Sequence, residues 1–209
     1  MVKITGPLLS LHASGSIGET VTFSTTRGRA YAKTSSVPRN PKTAAQLASR
    51  AMFTFLTRAW KNISAADQAT WSSNAERMNV PPYNAYLEFN LTRWRNFTPP
   101  SKILPPPGTG TYPTTPAQFA TAVTRGVALK ITSIAAGDLW AYAIFRGLAP
   151  GFTTGFDNLI AIPKPSTPAG HTEYLDSPLA PGTYYYNFRS ILSDGKMSPE
   201  INEKNATVL

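Results

Sequence analysis

Apolar and polar positions change period once in the first half of the chain. In "GSIGETVTFSTTRGRAYAKT", Ile17, Val21 and Phe23 share one face at period two, interrupted by Glu19, while Thr20 and Thr22 take the other. The stretch predicts a β-hairpin, with "TTRG" as its turn and Gly28 available for a positive φ. On the return strand Arg29, Tyr31 and Lys33 alternate with Ala30 and Ala32, making a basic, aromatic stripe. Pro38 and Pro41 then push Val37 and Asn40 out of helical geometry, so residues 34–42 should run extended.

After Thr43 the period becomes 3.6. Leu47, Ala48, Ala51, Met52, Phe55, Leu56, Ala59 and Trp60 form a wide apolar stripe. Thr43 with Gln46 three residues later predicts a capping box that opens a helix running to about Lys61. Arg50, Thr54, Thr57, Arg58 and Lys61 fall opposite the stripe, as does Phe53, which is out of place on the wet side of a lone helix. Ser64 and Asp67 repeat the capping logic for a second helix over 65–78, and Leu87, Leu91 and Trp94 mark a third over 84–95. A hairpin, an extended arm and three short helices make a small core, of a size often completed by a partner or by further copies.

Residues 98–116 are rich in proline and read as a semi-rigid linker. From 117 onward the pattern is short strands and turns. "GVALKITSI" points Val127, Leu129 and Ile131 inward, and "LWAYAIFRG" sets Trp140, Tyr142 and Ile144 against Leu139, Ala141 and Ala143. The segment "EYLDSPLAPGTYYYNFRSILSDGKMSP" resembles the back half of a fibronectin type III-like sandwich, with Leu179, Pro181, Gly182, Tyr184, Tyr186 and Gly195 at the matching positions. The usual Trp of that family's second strand is absent, so the resemblance leaves Trp140 as the candidate to fill the core. The expected fold class is therefore α+β in two parts. A hairpin, arm and three-helix module covers 1–97, and an all-β fibronectin type III/Ig-like sandwich covers 117–209.

Composition suits a folded chain, with 42% hydrophobic and 15% charged residues among 209. The absence of cysteine excludes disulfides, thiolate metal sites and cysteine nucleophiles. No apolar run reads as a signal peptide or a bilayer span, so the expectation is a soluble protein made in the cytoplasm, with no membrane partner. The net charge of +9 is uneven: residues 1–102 carry 13 Lys and Arg against 4 Asp and Glu, and 103–209 carry 7 against 7. Between Glu19 and Asp67 there is no carboxylate, while eight basic residues lie there.

Motifs for catalysis are weak. His12 and His171 stand in separate halves without a nucleophile and acid nearby. "SGSIG" puts Ser14 where a nucleophile elbow needs glycine, and "GTG" at 108–110 lacks the rest of a dinucleotide loop. Acids are too scattered for a metal cage, and Asp157, Asp176 and Asp194 sit where turns want them. No catalytic, cofactor-binding or metal site is assigned, and the expectation is a non-enzyme. Four Asn-X-Ser/Thr triplets, among them Asn90-Leu-Thr, read as chance in a Ser/Thr-rich chain.

The front of the chain also resembles small structural proteins of tailed bacteriophages. The matching residues lie at Ser14–Gly18, Thr22–Ser24, Arg27–Gly28, Tyr31, Pro38, Asn40, Pro41, Thr43, Gln46, Arg50, Trp60, Ile63–Ser64, Gln68 and Trp71. The resemblance implies a virion component, an oligomer in the particle, contacting capsid, portal, head–tail or tail proteins. Arg27, Arg29, Tyr31, Lys33, Arg39, Lys42, Arg50, Phe53 and Arg58 are the candidate partner contacts. The stiff basic arm is expected to lie along an acidic protein surface, since pre-ordering reduces the entropy lost on binding. A solvated positive face and nucleic-acid binding are the competing readings of the same residues. Capsid decoration or cement is preferred over a tail or junction role. A host-glycan adhesin and an internal nucleic-acid binder are the alternatives.

Overall fold

Thr26 pairs with Arg29 across a two-residue turn in which Gly28 takes a φ of +76°, a conformation that costs glycine little. The structure is a computed structural model. It describes residues 2–3, 15–18, 20–26, 28–34, 43–108, 117–132, 139–166, 171–200 and 203–209. They belong to two units, Met1–Pro41 and Lys42–Leu209.

The first unit is a four-stranded antiparallel sheet of β1 (Val2–Lys3), β2 (Gly15–Ile17), β3 (Val21–Thr26) and β4 (Arg29–Thr34), in the order β1-β4-β3-β2. The expected hairpin is present as β3 and β4, but Ile17 belongs to a separate strand. It meets Val21 as a cross-strand neighbour beyond a turn in which Gly18 has a φ of +57°. The register pairs Phe23 with Ala32 and Thr25 with Ala30, and on the opposite face Ser24 with Tyr31 and Thr22 with Lys33. The basic stripe is thus one face of a sheet, and none of the unit's described side chains is buried. The extended arm expected over 34–42 lies outside the described residues except for Thr34.

In the second unit α1 (Ala44–Trp60) begins where its signals place it, but the capping box does not form. Thr43 makes no side-chain cap bond, and Gln46 Oε1 is buried without a partner. Ser64 does cap, accepting from the Asp67 N–H at 3.1 Å. The helix it opens is split into α2 (Ala65–Ala69) and α3 (Ser72–Met78), the latter closed by Asn79 in the left-handed region. Next comes α4 (Pro82–Arg95), which starts earlier than its apolar period predicts because Pro82 suits the first helical turn.

Seven strands follow: β5 (Gln118–Val123), β6 (Gly126–Thr132), β7 (Leu139–Gly147), β8 (Leu159–Ala161), β9 (His171–Asp176), β10 (Gly182–Leu192) and β11 (Lys204–Val208). They form two antiparallel sheets, β5-β6-β9 and β11-β10-β7-β8. Val127, Leu129 and Ile131 of β6 face Tyr142, Ile144, Tyr186 and Phe188 in the core between the sheets.

The opposite face of the larger sheet is covered by helices. Ala141, Ala143 and Phe145 of β7, with Ile191 of β10, share a second core with Ala48, Met52, Phe55 and Leu56 of α1 and with Trp94 of α4. This explains why β7 reads as a nearly unbroken apolar run: both its faces are buried. It also corrects the expected division at 98–116. The helices are completed by the sandwich's own sheet, and the division falls at Pro41 instead.

Two further expectations change with this packing. Trp140 packs with the helical core and not inside the sandwich, its ring 4.9 Å from Phe55 in an edge-on contact. A bulge pairs Ile191 with Ala141 and Leu192 with Leu139, so Trp140 is skipped and the alternation of faces breaks there. The first part of the presumed linker is also tied down. Trp71 Nε1 donates to the Lys102 carbonyl at 2.9 Å, the Lys102 N–H donates to the Ser193 carbonyl at 2.9 Å, and buried Asn90 exchanges bonds with Ser101. Residues 98–108 are a strap between α4 and the turn after β10.

Candidate partner-docking face

Five buried side chains, Ala48, Met52, Phe55, Leu56 and Ala59, set the orientation of α1. At 3.6 residues per turn this turns Arg50, Phe53, Thr54 and Arg58 outward, and all four are exposed. Phe53 is 47% exposed, a large apolar ring on a wet face.

A groove lies on each side of this outward face. The first, of about 500 Å³, runs between α1 and the segment Ile160–Lys164. Leu47, Ala51 and Phe55 line one wall, Ile160 and Ile162 the other, and Tyr174 of β9 closes it; Arg50, Arg58 and Lys164 supply its charge. The second, of about 300 Å³, lies between Phe53 and α4, with Leu91, Trp94 and Phe156 as its apolar lining and Arg50 and Arg95 beside them. Arg50 and Thr54 belong to both, so the two grooves form one surface. No Asp or Glu lines either. Apolar walls beside guanidinium and ammonium groups suit a partner that offers aliphatic side chains together with carboxylates.

Of the residues singled out from sequence, Arg50, Phe53 and Arg58 meet here. Arg29, Tyr31 and Lys33 share one face of the first unit's sheet, with Arg29 and Lys33 exposed. Arg27, Arg39 and Lys42 lie outside the described residues. Ile160, Lys164 and Tyr174 were not legible as site residues, because they come from the sandwich, which was expected to stand apart from α1; Trp94 and Arg95 end the third helix of the expected helical module and carried no signal of a groove. The phrase "IPKPS", a cation between two prolines after a short strand, was the available signal for Lys164.

Elsewhere, a polar tie crosses the sandwich. Asp176 ends β9 and is no turn acid: Arg146 Nη1 of β7 donates to both its oxygens, at 3.0 and 2.9 Å. Tyr186 of β10 lies beside Arg146 in the ladder and donates its hydroxyl to Asp176 Oδ2 at 3.0 Å. Burial, and then the adjacent Asp176 charge, hold the Tyr186 phenol well above the ordinary tyrosine range. His171 is exposed on β9, and His12 lies outside the described residues. Among the described residues no group of three or more His, Cys, Asp or Glu could hold a metal ion, and no helix is long and apolar enough to cross a membrane.

No family model and no curated protein matches the chain. A beta-1,2-glucanase from Parabacteroides distasonis is similar at 20% identity and a TM-score of 0.37, over 47% of this chain and 14% of the glucanase. An Fn3-like protein from Clostridium thermocellum is similar at 21% identity and a TM-score of 0.31, over 47% of this chain and 94% of that protein. The chain is a mixed helix-and-sheet protein with several antiparallel sheets, partly covered by an Fn3-like neighbour.

Proposed function

We propose that this chain is a non-enzymatic structural component of a tailed-phage virion that docks on other virion proteins through the outward face of α1. The observation that carries the reading is the pair of acid-free, apolar grooves on which Arg50, Phe53 and Arg58 converge. The phage-like residue pattern over 13–75 supplies the setting, and the separation of seven strands into sheets of three and four supports a fibronectin type III-like sandwich. In this reading the sandwich backs the docking helix directly, so anchor and sandwich move as one piece. The exposed basic face of β4 in the first unit adds steering toward acidic surfaces. The chain acts as one of several copies on the capsid or at the head–tail region, with a decoration or cement role preferred.

Purified particles from cells carrying the coding sequence test this. Mass spectrometry should find the chain in washed particles, and an antibody against it should label heads or head–tail junctions. Recombinant protein should co-sediment with particles lacking the chain, and Arg50→Glu with Arg58→Glu should abolish that co-sedimentation. Absence from washed particles would overturn the proposal. Labelling confined to tail fibres would favour the host-surface reading instead.

A further inference from the structure

The groove between α1 and β8 has the length, edge and charge of a site for a peptide strand. It follows α1 from Leu47 to Arg58, roughly 16 Å at about 1.5 Å per residue, which accommodates about five extended residues. Its far wall starts at β8, the outermost strand of its sheet. There Ile144 pairs with Ala161 and Phe145 with Leu159, so a bulge leaves Ile160 without a register partner in β7. As the outermost strand, β8 has one edge with no strand partner in its sheet among the described residues, and to such an edge another strand can add.

Charge decides the chemistry of that strand. Arg50 and Arg58 stand on one wall of the groove and Lys164 on the other, and no carboxylate lines it. The floor between them is aliphatic and aromatic. A nucleic-acid backbone needs a polar, water-filled path of cations, and would leave Leu47, Ala51 and Ile162 against charged phosphates. A peptide that alternates carboxylate and aliphatic side chains satisfies both features, since successive side chains of a strand point to opposite faces.

We propose that this groove binds an extended, acidic segment of a partner protein, with its aliphatic side chains against Ala51 and Ile160 and its carboxylates toward Arg50, Arg58 and Lys164. The inference rests on the docking reading above and names the partner chemistry.

The full-length chain tests it by fluorescence polarisation with end-blocked, labelled peptides of alternating Glu and Leu. Matched Gln/Leu and Lys/Leu peptides and a single-stranded oligonucleotide serve as comparisons. The Glu/Leu peptide should bind at least about tenfold more tightly than the Gln/Leu peptide and should weaken as salt rises. Arg58→Glu with Lys164→Glu should weaken it by about tenfold or more, Ala51→Phe should block it, and Lys204→Glu, outside the groove, should leave it unchanged. Equal binding of the Glu/Leu and Gln/Leu peptides to the unaltered protein would overturn the inference without relying on any variant's folding. Tighter binding of the oligonucleotide, sensitive to the same substitutions, would overturn it in favour of nucleic acid. The particle assay reads separately: co-sedimentation with no peptide binding sinks this inference alone, and absence from particles sinks the docking reading alone.

Discussion

The Tyr186 hydroxyl and the Asp176 carboxylate, 3.0 Å apart, join the two sheets of the sandwich from within. Asp176 also takes Arg146 Nη1 on both oxygens, so one acid satisfies a buried phenol and a half-buried guanidinium at once. Asp176→Ala should therefore destabilise strongly, by about 2–4 kcal/mol, because it leaves Arg146 without its counter-charge. Tyr186→Phe removes only a hydrogen bond and should cost about 1 kcal/mol. Urea unfolding of the two variants checks the ranking.

Alkaline pH probes the same pair. The folded state holds the Tyr186 proton above the ordinary phenol range, and burial does the same for Tyr86. Stability from these groups is present below the unfolded phenol value, about 10, and declines as pH rises beyond it. Phenolate absorbance should show at least two tyrosines resisting titration until the protein unfolds. Tyr186→Phe should flatten the alkaline loss of stability.

Acid should reveal Glu200. The Thr154 hydroxyl, at 2.6 Å, is the largest cause holding its carboxyl below the usual range, with the Thr154 N–H and Arg189 adding to it. Stability from this group is present above the unfolded carboxylate range and is lost as pH falls through the lower folded value. Because the side chain is partly exposed, the effect should not exceed about 1 kcal/mol. Glu200→Gln should leave a shallower acid limb in a pH series of thermal melts.

Asn90 holds the strap after α4. Its Nδ2 donates to the Tyr86 and Ser101 carbonyls at 3.1 and 3.0 Å, and its Oδ1 accepts from the Ser101 N–H at 2.8 Å. Fully buried, it is no glycan acceptor in the folded chain. Asn90→Leu should cost about 2–3 kcal/mol through the unsatisfied Ser101 groups. It should also open residues 98–108 to limited proteolysis, whereas Asn96→Ala at the exposed helix end should not.

Removing the helices should expose the sheet they cover. A fragment of residues 117–209 would present Ala141, Ala143, Phe145, Leu159 and Ile191 to water. It is expected to bind a hydrophobic dye and to self-associate on gel filtration, whereas 42–209 stays monodisperse. In the intact chain Phe55→Ala, which empties the contact with Trp140, should cost about 3–5 kcal/mol in chemical denaturation.

Much of the local structure was legible in residue order. Val127, Leu129 and Ile131 alternate because β6 has one face in the core, and α1's stripe matches its buried side because a single helix face is covered. Trp140 was misread because a bulge, which depends on the neighbouring strand, reverses the face that alternation assigns. The strap was misread because prolines signal an extended backbone and say nothing of what its carbonyls meet, here Trp71 and Asn90.

The order of residues by itself settled periods, helix starts such as Ser64, the turn at Gly28 and the cationic character of α1's outer side. The folded chain alone decided that α1's apolar stripe meets the back of β7, and that Arg50 and Arg58 face Lys164 across a groove. The reason is physical. Apolar periodicity states that a face must leave water, but the hydrophobic effect has no direction, so the surface that covers it is selected only when all the elements pack together.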